Sequence, residues 1–142
     1  MFKSQIEAIL KLDSRTKSIF KGVCAIDTLP KREEGLYVIN LDKHDEPGSH
    51  WVAVCDDGQR VESFDSYGVP PTFKDFLGPG AVYSTANLQP LMSNGCGFYC
   101  VYFLIKRAAG LPMSDILHLL SRTDSHYVVK NYLYTRFCSV FK

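Results

Sequence analysis

An unbroken apolar run, Phe98-Tyr-Cys-Val-Tyr-Phe-Leu-Ile105, is followed by Lys106, Arg107 and Gly110. Such a run closed by basic residues and glycine predicts a buried helix with a defined exit. Ile6, Ile9 and Leu10 recur at helical spacing within Ser4–Asp13, with Phe2 on the same face and Ser4 as the expected N-cap. Phe20–Cys24 is a brief apolar segment, and Gly35–Leu41 is rich in β-branched and aromatic residues, which favour a strand. Trp51–Cys55, Arg60–Phe64 and Ala81–Ala86 read as further strands, with a short helix expected over Thr72–Leu77. Pro112 and Ser114-Asp115 open a helix through Leu120, and Thr123 or Asp124 opens another that offers Tyr127, Val128, Asn131, Tyr132 and Phe137 for packing. Residues 1–142 form one domain in this reading: α+β, with a mostly antiparallel central sheet flanked by helices.

Asp57-Gly58 between two strands predicts a two-residue hairpin turn. That turn sets Cys55 opposite Arg60, Val54 opposite Val61, Val52 opposite Ser63 and His50 opposite Asp65. Opposed residues project from one face with Cβ atoms roughly 5 Å apart. An imidazole and a carboxylate then meet at the hairpin's open end. The carboxylate can accept the ring N–H, fix its tautomer and support the imidazolium. A one-residue slip would separate them.

Cys96 stands where a polar, turn-prone stretch becomes the apolar helix. A thiol there feels the positive end of the helix dipole, which favours the thiolate. Gly95 and Gly97 flank it and put no side chain in the way of an approaching substrate. The plain alternative is a buried cysteine between turn glycines. Acyl transfer needs a base, an orienter and oxyanion donors. His50 and Asp65 supply the first two, and Gln89 with the Cys96 and Gly97 amides supplies the third. Gln89 on its own reads more readily as a solvated loop residue, and Trp51 at least as readily as a core aromatic. His44 lies in a charged loop, and His118 and His126 lie on late helices with surface or packing roles. Cys96 and Cys100 share a helix face at i, i+4, but no second ligand pair stands at zinc spacing, so no metal is expected.

Composition narrows the classes. Hydrophobic residues make up 46% and charged residues 22%, ordinary for a globular domain. A net charge of +1 implies no general affinity for nucleic acid or membrane surfaces. Five cysteines, an odd number without framework spacing, and no signal-like apolar leader point to free thiols in a reducing compartment. No run reaches membrane-spanning length.

His50-Trp51, Phe64-Asp65-Ser66-Tyr67-Gly68, Gln89 and Gly95-Cys96-Gly97-Phe98, in that order, resemble the adenovirus-type (adenain-like) cysteine endopeptidases. That family extends to related viruses and large transposons, and shares a clan with SUMO-deconjugating proteases. The resemblance covers most of the chain; each motif is weak alone, and the ordered set is the specific feature. It implies a papain-like core in permuted chain order, with Cys96 as nucleophile, His50 as base, Asp65 as orienter and Gln89 in the oxyanion hole. Trp51 and Gly95 would line the substrate path. The implied reaction is hydrolysis of viral precursor proteins during virion maturation, by a monomer in the host nucleus or cytoplasm and in the virion, not secreted. No cofactor is implied for the chemistry itself. The resemblance does imply an activating viral peptide and DNA, although the charge balance gives DNA no support and the chain is shorter than the adenovirus enzymes. Three other readings remain: an isopeptidase for a ubiquitin-like modifier, an acyltransferase of the same clan, and a catalytically silent binding module.

Overall fold

The computed structural model describes residues 1–46, 50–89 and 95–142. In chain order these form α1 (Lys3–Leu12), β1 (Phe20–Ala25), β2 (Gly35–Asn40), β3 (Trp51–Asp56), β4 (Val61–Phe64), α2 (Lys74–Leu77), β5 (Val82–Tyr83), α3 (Cys96–Ala108), α4 (Met113–Ser121) and α5 (Ser125–Arg136), then a 3-10 turn over Cys138–Phe141. The fold is α+β. Its sheet runs β1-β2-β3-β4-β5, antiparallel at β2/β3 and β3/β4 but parallel at β1/β2 and β4/β5. The expected mostly antiparallel sheet is therefore a mixed one. Apolar patterning specifies which face a side chain takes but not strand direction, and the connections 26–34 and 65–81 each carry the chain across to the opposite end of the sheet before the next strand begins.

β2 and β3 are buried on both faces, so they read as continuous apolar runs rather than alternating ones. One face sends Leu36, Val38, Trp51, Ala53, Cys55 and Phe64 toward α3. The other sends Tyr37, Ile39, Val52 and Val54 toward Phe73, Phe76 and Leu77 around α2. Every α3 residue from Cys96 to Ile105 is buried, as expected of a helix that is apolar all round. Phe103 stacks on Phe64 at 4.5 Å between centroids and 5° between planes, locking helix to sheet. Gly110, at φ +100°, lets the chain leave α3. Among the described residues no helix is long and apolar enough to cross a membrane.

Several local expectations change. The N-cap of α1 lies two residues early, at Phe2 rather than Ser4; the Gln5 side chain accepts the Phe2 N–H at 2.9 Å. Phe2 is mostly exposed and does not join Ile6, Ile9 and Leu10 inside. The strand expected over 81–86 shrinks to Val82–Tyr83, and α2 spans only Lys74–Leu77. Asp124 does cap α5, accepting the Tyr127 N–H at 3.3 Å, while Tyr127 itself faces solvent.

The hairpin carries the most informative correction. Val54 pairs with Ser63 and Ala53 with Phe64, two positions along from the expected register. The loop is four residues, Asp57–Arg60, because the Asp57 carboxylate accepts the N–H groups of Gln59 (3.0 Å) and Arg60 (2.9 Å) and holds a wider turn. A shift of two preserves the face of every side chain, since strand side chains alternate with period two. His50 and Asp65 thus become diagonal neighbours instead of opposed ones, and still lie together at the hairpin's open end.

At the closed end lies a second cluster of charge. Glu62, 1% exposed, receives Arg60 at 2.6 and 3.0 Å on Oε2 and Arg107 at 2.7 Å on Oε1. Arg107, in the last turn of α3, also meets Asp57 at 3.2 Å. Paired in this way the carboxylate's desolvation is offset.

Candidate active site

α3 starts at Cys96, with Gly95 as N-cap at φ −86° and ψ −3°. The first amides of a helix have no intrahelical acceptor and point past its N-terminus. The main-chain amides of Trp51 and Gly97 lie close enough to the Cys96 sulfur to help lower its pKa. A glycine at 97 matters sterically. A Cβ there would lie 3.0 Å from Met1 Cβ and 3.3 Å from Trp51 Cδ1, so the bare α-carbon lets both side chains close on the helix start.

His50 immediately precedes β3 and Asp65 immediately follows β4, so the pairing of the two strands brings both to the N-terminal end of α3. His50 Nε2 lies 3.0 Å from Asp65 Oδ1, and the imidazole also hydrogen-bonds the Cys96 thiol. With Nε2 turned to the carboxylate, Nδ1 is the nitrogen left for sulfur. The same Asp65 oxygen accepts the Tyr67 N–H at 2.8 Å, which fixes the carboxylate within a turn closed by Gly68 N–H to Asp65 C=O at 2.8 Å. Gly68 has φ +74°, and a Cβ on it would approach the Thr85 carbonyl oxygen to 2.5 Å, so this turn requires glycine.

Electrostatics favour an ion pair. Burial alone disfavours the charged imidazole, but the hydrogen bonds and charges of Asp65 and Cys96 outweigh it and raise His50 from 6.5 to about 9. Burial likewise pushes the Cys96 thiol up; the His50 hydrogen bond, the Trp51 amide, the His50 charge and the Gly97 amide outweigh it and hold the thiol below its ordinary value. Cys100, one turn on and fully buried, goes the other way: burial, then the charges of Cys96 and Asp65, raise it well above the ordinary range. Cys55 is pushed up to about 11, chiefly by burial. The chain thus sets one thiol apart as the acidic one beside a base.

Gln89 is buried, 3% exposed, not a solvated loop residue. Its carbonyl oxygen accepts the Ser66 hydroxyl, and the Ser66 main-chain oxygen accepts the Leu88 and Gln89 N–H groups at 2.8 and 3.1 Å. Engaging the carbonyl end orients the amide so that its NH2 is the opposite, donating end. Gln89 is therefore anchored to the residue after Asp65. Residues 47–49, just ahead of His50, and 90–94, the polar stretch leading into Gly95, lie outside the described residues.

Tyr67, Ser66 and the Trp51 amide escaped the sequence reading. The Tyr67 ring lies against His50, centroids 5.1 Å apart and planes tilted by 32°, and restricts the imidazole's rotation. Its place after Asp65 was visible, but ring-on-ring contact depends on the two-residue register shift that brings positions 50 and 67 alongside. A main-chain donor to sulfur leaves no trace in residue types.

The other histidines stand apart. His44 pairs through Nδ1 with Asp27 Oδ2 at 2.5 Å, and His118 Nε2 lies 3.2 Å from Arg122 Nη1. His126 Nδ1 is buried, with no hydrogen-bond partner among the described residues. Among the described residues no group of three or more His, Cys, Asp or Glu side chains is placed to hold a metal ion. No protein-family model matches the chain, and no curated protein matches it.

Proposed function

We propose that this protein is a cysteine endopeptidase with a papain-like core in permuted chain order, His50, Asp65 and Gln89 preceding Cys96. The observation that carries the reading is the continuous relay Cys96–His50–Asp65 at the start of a buried helix, with the thiol's pKa lowered and the imidazole's raised. A merely structural cysteine in so buried a position would have its thiol raised, as Cys100 does.

The Cys96 thiolate attacks the scissile carbonyl carbon, and the carbonyl oxygen becomes an oxyanion. The Cys96 main-chain N–H and the Gln89 side-chain amide donate to it. His50, as imidazolium, gives its proton to the departing amine, leaving a thioester on sulfur and a neutral ring. A water then attacks the thioester, His50 takes its proton, and the new carboxyl end leaves as the thiolate returns. Asp65 holds the ring so that one nitrogen faces sulfur throughout and stabilises its charged form. The ordered motif set makes precursor proteins of an adenovirus-like particle the substrates of this reading, cleaved during maturation.

The test is hydrolysis of internally quenched peptide pools and of candidate precursors by the wild type and Cys96→Ala. Turnover that falls by roughly 10⁴ or more in the variant, with folding intact, is expected. Equal turnover in both proteins would overturn the reading.

A further inference from the structure

A cavity of about 310 Å³ opens beside the helix start, and Trp51 is the wall it shares with the site. The Trp51 amide faces the Cys96 sulfur and its ring lies against Gly97, while the residue also lines the cavity. A peptide chain whose carbonyl sits at Cys96 has this hollow next to it. The size is at the lower end for a ligand site, room for one or two side chains.

Its floor is apolar: Val23, Cys24 and Ala25 at the end of β1, with Trp51. Burial raises the Cys24 thiol in spite of the nearby Lys3 charge, so the floor is neutral. One wall is braced by His44, whose ring nitrogen and main-chain N–H meet the two Asp27 carboxylate oxygens at 2.5 and 2.8 Å.

Two ammonium groups, those of Lys3 and Lys43, also line the cavity. Among the described residues no ion pair engages the Lys43 ammonium, and Lys3 meets Glu7 only at 3.7 Å on an exposed surface. The one carboxylate lining the cavity, Glu46, already accepts the Lys43 main-chain N–H at 3.1 Å.

We propose that this cavity is a side-chain pocket of the substrate groove that selects a glutamate, its methylenes on Trp51, Val23 and Ala25 and its carboxylate between Lys3 and Lys43. The assignment rests on the endopeptidase reading for its place in a groove, but its binding chemistry is independent of turnover.

Trp51 is the chain's one tryptophan, so its emission reports the pocket directly. The experiment titrates Cys96→Ala protein with acetylated, glycine-based octapeptides carrying a single Glu, Gln, Leu or Lys at each position in turn. At one position the Glu peptide shifts Trp51 emission and binds about tenfold more tightly than its Gln counterpart. Lys43→Glu reverses the order in favour of Lys. Equal binding of Glu and Gln, tightest binding of Leu, or unchanged Trp51 emission overturns the assignment. The same peptides are then given to protein with Cys96 intact. Glu-selective binding with no cleavage of any peptide would sink the endopeptidase reading and leave the pocket standing. Cleavage without Glu preference would do the reverse.

Discussion

At its carboxyl end α3 presses Arg107 against buried Glu62; at its amino end it presses Cys96 against His50 and Asp65. Both clusters sit on the same β3–β4 hairpin, one at its closed end and one at its open end. Each obeys the helix dipole, which favours a cation at the last turn and an anion at the first. The difference lies in the chemistry chosen. Arg107 and Glu62 saturate one another with short, charge-assisted bonds. Cys96 and His50 carry charges that exist only because each supports the other, and a thiolate is reactive where a saturated carboxylate is inert. The first cluster fixes the hairpin on the helix; the second is poised on the frame so fixed.

Substitutions can break that contrast. The largest effect is expected at the open end, where Cys96→Ala removes roughly four orders of magnitude or more of turnover while shifting the unfolding midpoint little. Next comes the closed end. Arg107→Ala leaves the Glu62 carboxylate with Arg60 alone and is expected to destabilise the fold by about 1–3 kcal/mol in urea unfolding, while turnover per folded molecule is retained. Equal loss of turnover and stability in both variants would erase the distinction. Gln89→Ala is expected to lower kcat by about 10²–10³ with KM little changed. Asp65→Asn sharpens the contrast through pH. The ion pair forms as pH rises through the lowered Cys96 value and is lost as pH rises through about 9, where His50 gives up its proton. Without the aspartate charge the alkaline limb of the kcat/KM profile should move to lower pH; an unmoved limb would assign it to some other group.

The reach of the sequence is clearest at His50 and Asp65. The inference that they meet rests on direct opposition across a tight turn; it holds because side-chain parity survives a two-residue error in register. The error itself arose because Asp57 closes a four-residue loop with its own carboxylate, and the local Asp-Gly pair does not distinguish that loop from a tight turn. Cys96 at a helix start was legible because a glycine-flanked polar stretch gives way to an apolar run. The parallel edges of the sheet were not, since strand direction is set by where the connections cross. Nor were Ser66 and Tyr67 as supports of Gln89 and His50. Their contacts join segments distant in sequence, and no local spacing encodes them.

The central claim is that one thiol of five is held as a thiolate by an imidazolium. Alkylation with iodoacetamide across pH 5 to 10, read cysteine by cysteine through peptide mass spectrometry, measures this directly. Cys96 should react well below pH 8, faster than buried Cys55 and Cys100, and lose that advantage in His50→Ala. Labelling of Cys96 that rises only near the ordinary thiol range and is indifferent to His50 would contradict the account.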